Sequence, residues 1–153
     1  KELTISEIKT NKILGLNNSL KLINLNLSNS KVAYIEDINK NISIQKLLIP
    51  NNNFSDILFI KDLKNITDIN LKGNNISDLT VLESTIINNV INYKSLNLAN
   101  NIIQTTTVGG HNNVETLKKL YNAGLRDLDI SGNNFTTGST DELKNLKWTS
   151  YKE

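Results

Sequence analysis

Apolar residues recur along the chain in one short pattern. In the eleven residues from Ile66 to Ile76, apolar side chains occupy the first, fourth, sixth and eleventh positions, and Asn74 occupies the ninth. The apolar–polar alternation from the fourth to the sixth position is typical of a β-strand with one face on a core. Four further segments carry the same pattern, and their first, fourth and sixth residues are Leu22-Leu25-Leu27, Ile44-Leu47-Ile49, Tyr93-Leu96-Leu98 and Leu125-Leu128-Ile130.

The spacing of these copies predicts a stacked array. Copies begin at residues 22, 44, 66, 93 and 125, and a step of 22 residues backwards from Leu25 and Leu27 reaches Leu3 and Ile5. A degenerate sixth copy therefore occupies the N-terminus. Each copy is one turn that buries its apolar face against its neighbours. We expect a single domain over 1–153, with repeats starting near residues 1, 22, 44, 66, 93 and 125.

The ninth position of the pattern predicts a structural role for asparagine. The chain leaves the strand there, and an amide side chain can both donate to and accept from backbone groups that the turn leaves unpaired. Ser30 replaces the asparagine in the second copy, so we expect that turn to be less well tied. The predicted asparagine ladder consists of Asn52, Asn74, Asn101 and Asn133.

The connections between strands are short at first and lengthen towards the C-terminus. Residues 37–38 and 56–60 are predicted to form one or two helical turns. A longer helix is predicted from Asp78 to about Asn89. Its predicted inward residues are Leu79, Leu82, Ile86 and Val90.

The largest connection, between Ile103 and Leu125, predicts a second helix. Asn113 is its predicted N-cap and Gly124 its predicted C-terminal stop. A C-terminal cap is predicted over 136–153, opened by a capping box at 139–142. The N-terminal turn shows no comparable cap, so we expect an upstream segment. The helical spacing is carried by Val114, Leu117, Leu120 and Tyr121, and the end of the array is covered by Leu143, Leu146 and Trp148.

These residues resemble leucine-rich repeats of the form LxxLxLxxNxI. The 22-residue copies are similar to those of bacterial internalin-like surface proteins, and the longer C-terminal copies resemble the ribonuclease-inhibitor class. The resemblance implies an α/β fold, a right-handed solenoid with a parallel concave sheet of about six strands. Short helices or turns are then expected on the convex side.

Composition argues against several kinds of chemistry. The chain has 17 Lys and Arg against 15 Asp and Glu, so its net charge favours neither nucleic acid nor an anionic membrane. No apolar run approaches the length of a membrane span, and no cysteine is present. His111 is the only histidine and lies in a glycine-bearing loop, where an exposed loop residue is the expected reading. We therefore expect no enzyme, no metal and no cofactor.

The fold places the candidate working surface on the concave sheet. Its outward positions are polar and contain no aromatic residue, so Arg126 and Leu48 are the best candidate anchors. A solvated sheet face with no partner stays open as an alternative. The insertion at residues 104–113 is a second candidate surface. The candidate concave residues are Asn24, Asn26, Lys46, Leu48, Asp68, Asn70, Ser95, Asn97, Arg126, Asp127 and Asp129.

The sequence therefore predicts a non-enzymatic module that binds another protein or a surface ligand, and we expect it to be a monomer. The resemblance implies a bacterial secreted or cell-surface protein, for example one module of an adhesin, while a cytoplasmic location stays open. A structural spacer that presents a neighbouring domain is one alternative. An intracellular scaffold or regulator and a recognition module within an enzyme are the others.

Overall fold

The computed structural model describes residues 1–87 and 93–153, and parallel strands dominate it. Seven strands form the large sheet in the order β1-β3-β5-β6-β7-β8-β9, and β2 and β4 form a small second sheet. All pairs of strands in both sheets are parallel. The strands are β1 Glu2–Ser6, β2 Lys12–Ile13, β3 Asn24–Ser28, β4 Tyr34–Ile35, β5 Lys46–Leu48, β6 Asp68–Asn70, β7 Ser95–Asn97, β8 Asp127–Asp129 and β9 Ser150–Lys152.

The register of the large sheet aligns one core residue from every strand. Leu25 lies between Leu3 and Leu47 on the neighbouring strands. The alignment continues through Ile69, Leu96, Leu128 and Tyr151. Leu25 and Leu47 are fully buried, whereas Leu3 is only partly buried, because β1 has a neighbouring strand on one side only. The architecture is the α/β solenoid with a parallel sheet that the sequence predicts.

The sheet has one strand more than the six predicted. The C-terminal segment, predicted to be a cap, ends in β9, where Tyr151 occupies the core position beside Leu128. No Leu-x-Leu pattern marks this strand. Trp148 packs against Tyr121 and Tyr151 at ring-centroid distances of 4.8 and 5.7 Å, so the aromatic side chains cover the end of the array as expected.

The connections behind the sheet change from 3₁₀ turns to α-helices. The first three contain short 3₁₀ segments at Leu16–Asn18, Ile38–Lys40 and Leu58–Asp62. Three α-helices follow them in the described part of the chain. These helices are α1 Thr80–Ile87, α2 Asn113–Asn122 and α3 Asp141–Lys144.

The predicted start of α1 is close to the observed one. Asp78 Oδ1 accepts a hydrogen bond from the Thr80 N–H at 2.7 Å, so the aspartate precedes the helix as a cap. Leu79 and Leu82 are buried, and Ile86 is partly buried. The predicted end near Asn89 and the predicted inward Val90 lie outside the described residues.

Two predicted helix starts are wrong in detail. The N-cap of α2 is Asn112, whose side chain accepts hydrogen bonds from the N–H groups of Val114 and Glu115. Asn113 is the first helical residue instead. Helix α3 begins after Thr140 without a side-chain cap, so the capping box at 139–142 does not form. Its glutamate, Glu142, pairs with Lys118 of α2 instead. Gly124, with φ +116°, follows the C-cap Ala123 of α2 as predicted.

The eighth position of each copy has a left-handed backbone, which the sequence reasoning missed. Glycine adopts this conformation freely, and asparagine tolerates it better than most residues. A Cβ added at Gly73 would overlap Asn51 Oδ1, so the Asn51 amide would have to move to admit a side chain. Asparagine or glycine recurs directly before the ninth position, and this recurrence was the sequence signal for the left-handed backbone. The residues with positive φ at this position are Glu7, Asn29, Asn51, Gly73, Asn100 and Gly132.

Candidate functional site

The ninth-position asparagines bind backbone groups of two successive turns. Asn74 Nδ2 donates to the Ile49 and Leu71 carbonyl oxygens at 3.0 and 2.9 Å. Its Oδ1 accepts from the Phe54 N–H at 3.0 Å. The side chain is 5% exposed, so water cannot replace these bonds without local opening. Equivalent bonds are made by Asn52, Asn101 and Asn133.

Ser30 occupies the same position with fewer bonds. Its Oγ accepts from the Ile8 N–H at 3.1 Å and donates to the Ser28 carbonyl oxygen at 3.2 Å. A hydroxyl has one proton to donate, whereas an amide has two. The second turn therefore has fewer side-chain ties than the turns that follow it.

Ten of the eleven candidate concave residues fall into two columns. Strand pairing aligns one column of residues at the first position of each strand and another two positions later. Residues two apart on a strand face the same side of a sheet. The first column is Asn24, Lys46, Asp68, Ser95 and Asp127, and the second column is Asn26, Leu48, Asn70, Asn97 and Asp129.

Arg126 lies outside both columns. Its guanidinium group stacks on the Tyr121 ring with 4.5 Å between the guanidinium carbon and the ring centroid. It also donates to the carbonyl oxygens of Tyr121 and Leu125, both at 2.7 Å. The side chain is therefore held at the end of α2 rather than presented as an anchor on the sheet.

Most polar side chains of the second column close the strand ends. Asn70 Oδ1 accepts from the Lys72 N–H at 3.1 Å, and Asn97 Oδ1 accepts from the Ala99 N–H at 3.0 Å. Asp129 Oδ1 accepts from the Ser131 N–H at 3.1 Å. Such bonds from a side chain to the backbone two residues ahead stabilise turns. These side chains are therefore less free to bind a partner than sequence position alone implies.

The first column keeps more of its hydrogen-bonding capacity. Asp68 Oδ2 accepts from the Thr67 hydroxyl at 2.7 Å. Asp127 Oδ1 is buried and has no hydrogen-bond partner among the described residues. The first column is thus the part of the sheet best suited to polar contacts.

The insertion at 104–113 forms a short ordered hairpin. The Thr107 N–H donates to the His111 carbonyl oxygen at 2.8 Å, and the Gly110 N–H donates to the Thr107 carbonyl oxygen at 2.9 Å. Thr106 pairs with Asn112 in an antiparallel bridge. Val108 lies at the tip and is fully exposed. The insertion is therefore a defined projection.

Asn113 fixes this hairpin to the solenoid. Its side chain is fully buried. Its Oδ1 accepts from the Leu79 N–H at 3.0 Å, and its Nδ2 donates to the carbonyl oxygens of Ser77 and Gln104 at 3.0 and 2.9 Å. This role was missed, because either member of the pair Asn112-Asn113 fits an N-cap and only the fold decides between them.

His111 is half-buried in a polar cluster rather than free in a loop. Its Nε2 lies 2.7 Å from the Thr116 hydroxyl and 3.8 Å from Glu83 Oε2. The hydrogen bond from Lys119 to Glu83 is the main cause that lowers the pKa of that carboxyl. A serine-protease-like relay needs the hydroxyl and the carboxylate on opposite ring nitrogens. Both groups meet the same nitrogen here, so the cluster ties the hairpin to α1 and α2.

Within residues 1–87 and 93–153, no three histidine, cysteine, aspartate or glutamate side chains converge as metal ligands. In the same part of the chain, no helix is long and apolar enough to cross a bilayer.

Comparisons with known proteins give structural neighbours. No protein-family model and no curated protein sequence matches the chain. An internalin of Listeria monocytogenes, inlF, aligns with a TM-score of 0.72 and 27% identity, over 90% of this chain and 36% of that one. Internalin C2 of the same species, inlC2, aligns with a TM-score of 0.76 and 22% identity, over 99% and 60%.

A third similar structure comes from a plant. The leucine-rich-repeat ectodomain of the receptor kinase SOBIR1 from Arabidopsis thaliana aligns with a TM-score of 0.62 and 24% identity, over 87% of this chain and 70% of that one. The chain spans about a third of the length of inlF and 60% of inlC2.

Proposed function

Because the chain is an internalin-like leucine-rich-repeat protein, we propose that it is a non-enzymatic module that binds another protein or a surface ligand through its concave sheet. The supporting neighbours are two internalins and the ectodomain of a receptor kinase. The same neighbours favour a secreted or cell-surface location. The observation that carries the choice of surface is the column of polar side chains from Asn24 to Asp127, which strand pairing aligns on one face of the sheet.

The first column has the dimensions of a small interface. Strands lie about 4.8 Å apart, so the column from Asn24 to Asp127 is roughly 19 Å long. It presents a cation at Lys46 and carboxylates at Asp68 and Asp127. A partner that complements it carries an acid near one end of the contact and hydrogen-bond donors near the other. Side chains of this kind set orientation and specificity more than affinity.

The test is a charge change in the first column. We expect Asp68→Lys with Ser95→Arg to abolish capture of a surface protein by the immobilised domain, because the new cations reverse the local charge. The melting temperature should stay within about 2 °C of wild type, since surface substitutions usually change stability little. Lys64→Glu, an exposed charge change away from the sheet, is the matched control. Capture that survives the double substitution would show that the concave sheet is not the site.

A structural spacer is the second candidate function. It is favoured by the second column, where Asn70, Asn97 and Asp129 already use side-chain oxygens within their own turns. In that case the isolated domain recovers nothing above background from a membrane extract. Protease accessibility of the protein on intact cells tests the proposed surface location against an intracellular scaffold.

A further inference from the structure

The exposed large apolar side chains avoid the concave columns. Of the eight exposed large apolar side chains among the described residues, Tyr34, Leu58, Ile102 and Val108 line hollows in neighbouring turns. These four lie in the connections between one strand of the large sheet and the next, whereas Leu14, Leu20, Ile23 and Ile42 lie outside these hollows. Clustered exposed apolar residues at one surface indicate a contact site more often than scattered ones do.

These four residues line a row of hollows, which we call the flank trough. It consists of three adjoining hollows with volumes of about 360, 570 and 610 Å³. Tyr34 and Leu58 line the first, and Ile102 and Val108 line the third. The first and second hollows share Leu58 and Asp56, and the second and third share Asp78. The trough therefore runs from the second turn to the insertion hairpin.

Backbone hydrogen bonds hold the flank in a fixed shape. The Asn53 N–H donates to the Val32 carbonyl oxygen at 2.8 Å, and the Asn75 N–H donates to the Phe54 carbonyl oxygen at 2.9 Å. An equivalent backbone hydrogen bond links the later turns, where the Ile102 N–H donates to the Ile76 carbonyl oxygen at 3.1 Å. A surface that is ordered before binding loses less conformational entropy on association.

The charges along the trough are mainly negative. Asp56, Asp62 and Asp78 make no ion pair among the described residues, and Lys61 is the cation beside them. Asp56 Oδ1 caps the Leu58 N–H at 2.7 Å, and Asp78 Oδ1 caps the Thr80 N–H at 2.7 Å. The chain as a whole carries a formal charge of +2. The local negative charge thus opposes the sign of the whole protein and favours a basic group along the trough.

We propose that the flank trough binds an extended segment of a partner protein that carries aliphatic side chains beside lysine or arginine. Side chains on one face of an extended segment recur about every 7 Å. Aliphatic groups enter the hollows beside Leu58 and Ile102, while the cations meet Asp56 and Asp78. This second surface is separate from the concave sheet, so it does not depend on the function proposed above.

The test uses a defined probe, the fluorescein-labelled octapeptide Leu-Ser-Lys-Ser-Leu-Ser-Lys-Ser, whose leucines and lysines share one face when it is extended, and measures its binding by fluorescence anisotropy. We expect saturable binding that weakens as salt rises. The double variant Asp56→Asn with Asp78→Asn should bind about five- to tenfold more weakly, because two favourable charge contacts are lost. Asparagine keeps the oxygen that caps the backbone, so the fold is retained.

Glu115→Gln with Glu142→Gln is the charge-matched control, since it removes two carboxylates that pair with Lys118 and line neither the trough nor the concave columns. It should leave the dissociation constant unchanged. Equal binding by the Asp56/Asp78 double variant, or equal binding of a leucine–glutamate octapeptide, would overturn the proposal. NMR chemical shifts of the backbone amides in the wild-type protein provide a readout that needs no mutation. Peptide-induced shifts at Leu58 and Ile102 support the proposal, and shifts confined to β5 and β6 contradict it.

Discussion

The turns up to residue 76 and those after it differ on the convex side and agree on the concave side. In the first part, the connections contain 3₁₀ segments and the short β2–β4 pair. In the second part, α1 and α2 fill the same place. Nevertheless, the strand register passes from β6 to β7 without a shift. The convex side only has to cover the core, whereas the strand and the turn after it are specified residue by residue.

The two parts also differ in how they are tied together. The earlier turns depend on the asparagine ladder, which is weakest at Ser30. The later turns have the ladder and additional links through Asn113 and the Glu83–Lys119 pair. Long insertions cost little additional loop entropy, but they contain polar backbone groups that need partners. Asn113 supplies those partners for the hairpin.

The largest expected effect comes from removing a ladder asparagine. Asn74→Ala leaves the buried Phe54 N–H without its side-chain partner. The Ile49 and Leu71 carbonyl oxygens each lose one donor but keep Asn52 and Asn101, so we expect a loss of about 3 kcal/mol in the free energy of unfolding. Ser30→Ala removes two weaker ties and should cost about 1 kcal/mol. Equilibrium unfolding in urea measures both. Equal losses would contradict the difference between the second turn and the later ones.

An intermediate effect is expected at Asn113. Asn113→Ala removes three buried hydrogen bonds and should cost about 2–3 kcal/mol. The main change should be local, with faster hydrogen exchange at residues 104–112 and unchanged protection in β5 and β6. The neighbouring Asn112→Ala removes only a helix cap and should cost about 1 kcal/mol. If hydrogen exchange in Asn113→Ala accelerates equally throughout the large sheet, Asn113 stabilises the whole solenoid and not the insertion alone.

The smallest effect concerns pH. The Lys119 hydrogen bond lowers the pKa of Glu83 below its ordinary value of 4.5. The folded carboxylate therefore binds its proton less tightly than the unfolded one, and its stabilisation is complete above about pH 4.5 and lost as pH falls through the lower folded value. We expect Glu83→Gln to reduce the loss of stability between pH 7 and pH 3 by less than about 1 kcal/mol. If Glu83→Gln loses as much stability between pH 7 and pH 3 as the wild type, the Glu83–Lys119 pair does not contribute to the free energy of unfolding.

The sequence predicted the structural features that recur in successive copies. The strands at Leu25, Leu47 and Ile69 follow from apolar residues repeated at fixed spacing, which only one packing arrangement satisfies. Strand β9 occurs once and has Tyr151 in its core position without a Leu-x-Leu signature, so no repetition could reveal it. The choice of Asn112 over Asn113 as the helix cap likewise depends on hydrogen bonds that occur at one place in the chain, so repetition could not predict it.

The candidate site was predicted less well for a related reason. Periodicity aligned Asn70, Asn97 and Asp129 on the concave face, but it carries no information on where side-chain oxygens bond. Those oxygens turn back to N–H groups two residues ahead. The exposed flank was also missed, since Tyr34, Leu58, Ile102 and Val108 do not occupy equivalent positions in their turns.

The bonds of Asn74 and Asn52 have a consequence for how such a chain changes in length. Each asparagine bonds its own turn and the preceding one in the same way. If residues 44–65 were deleted, Asn74 would meet Leu27 and Val32, the groups that Asn52 meets now. Every donor would still find an acceptor. A copying error of one whole unit in the gene therefore preserves the ladder. Extra length confined to a convex connection also preserves it, as the copies starting at residues 93 and 125 show, whereas a change of length within the strand or the turn after it disrupts the array.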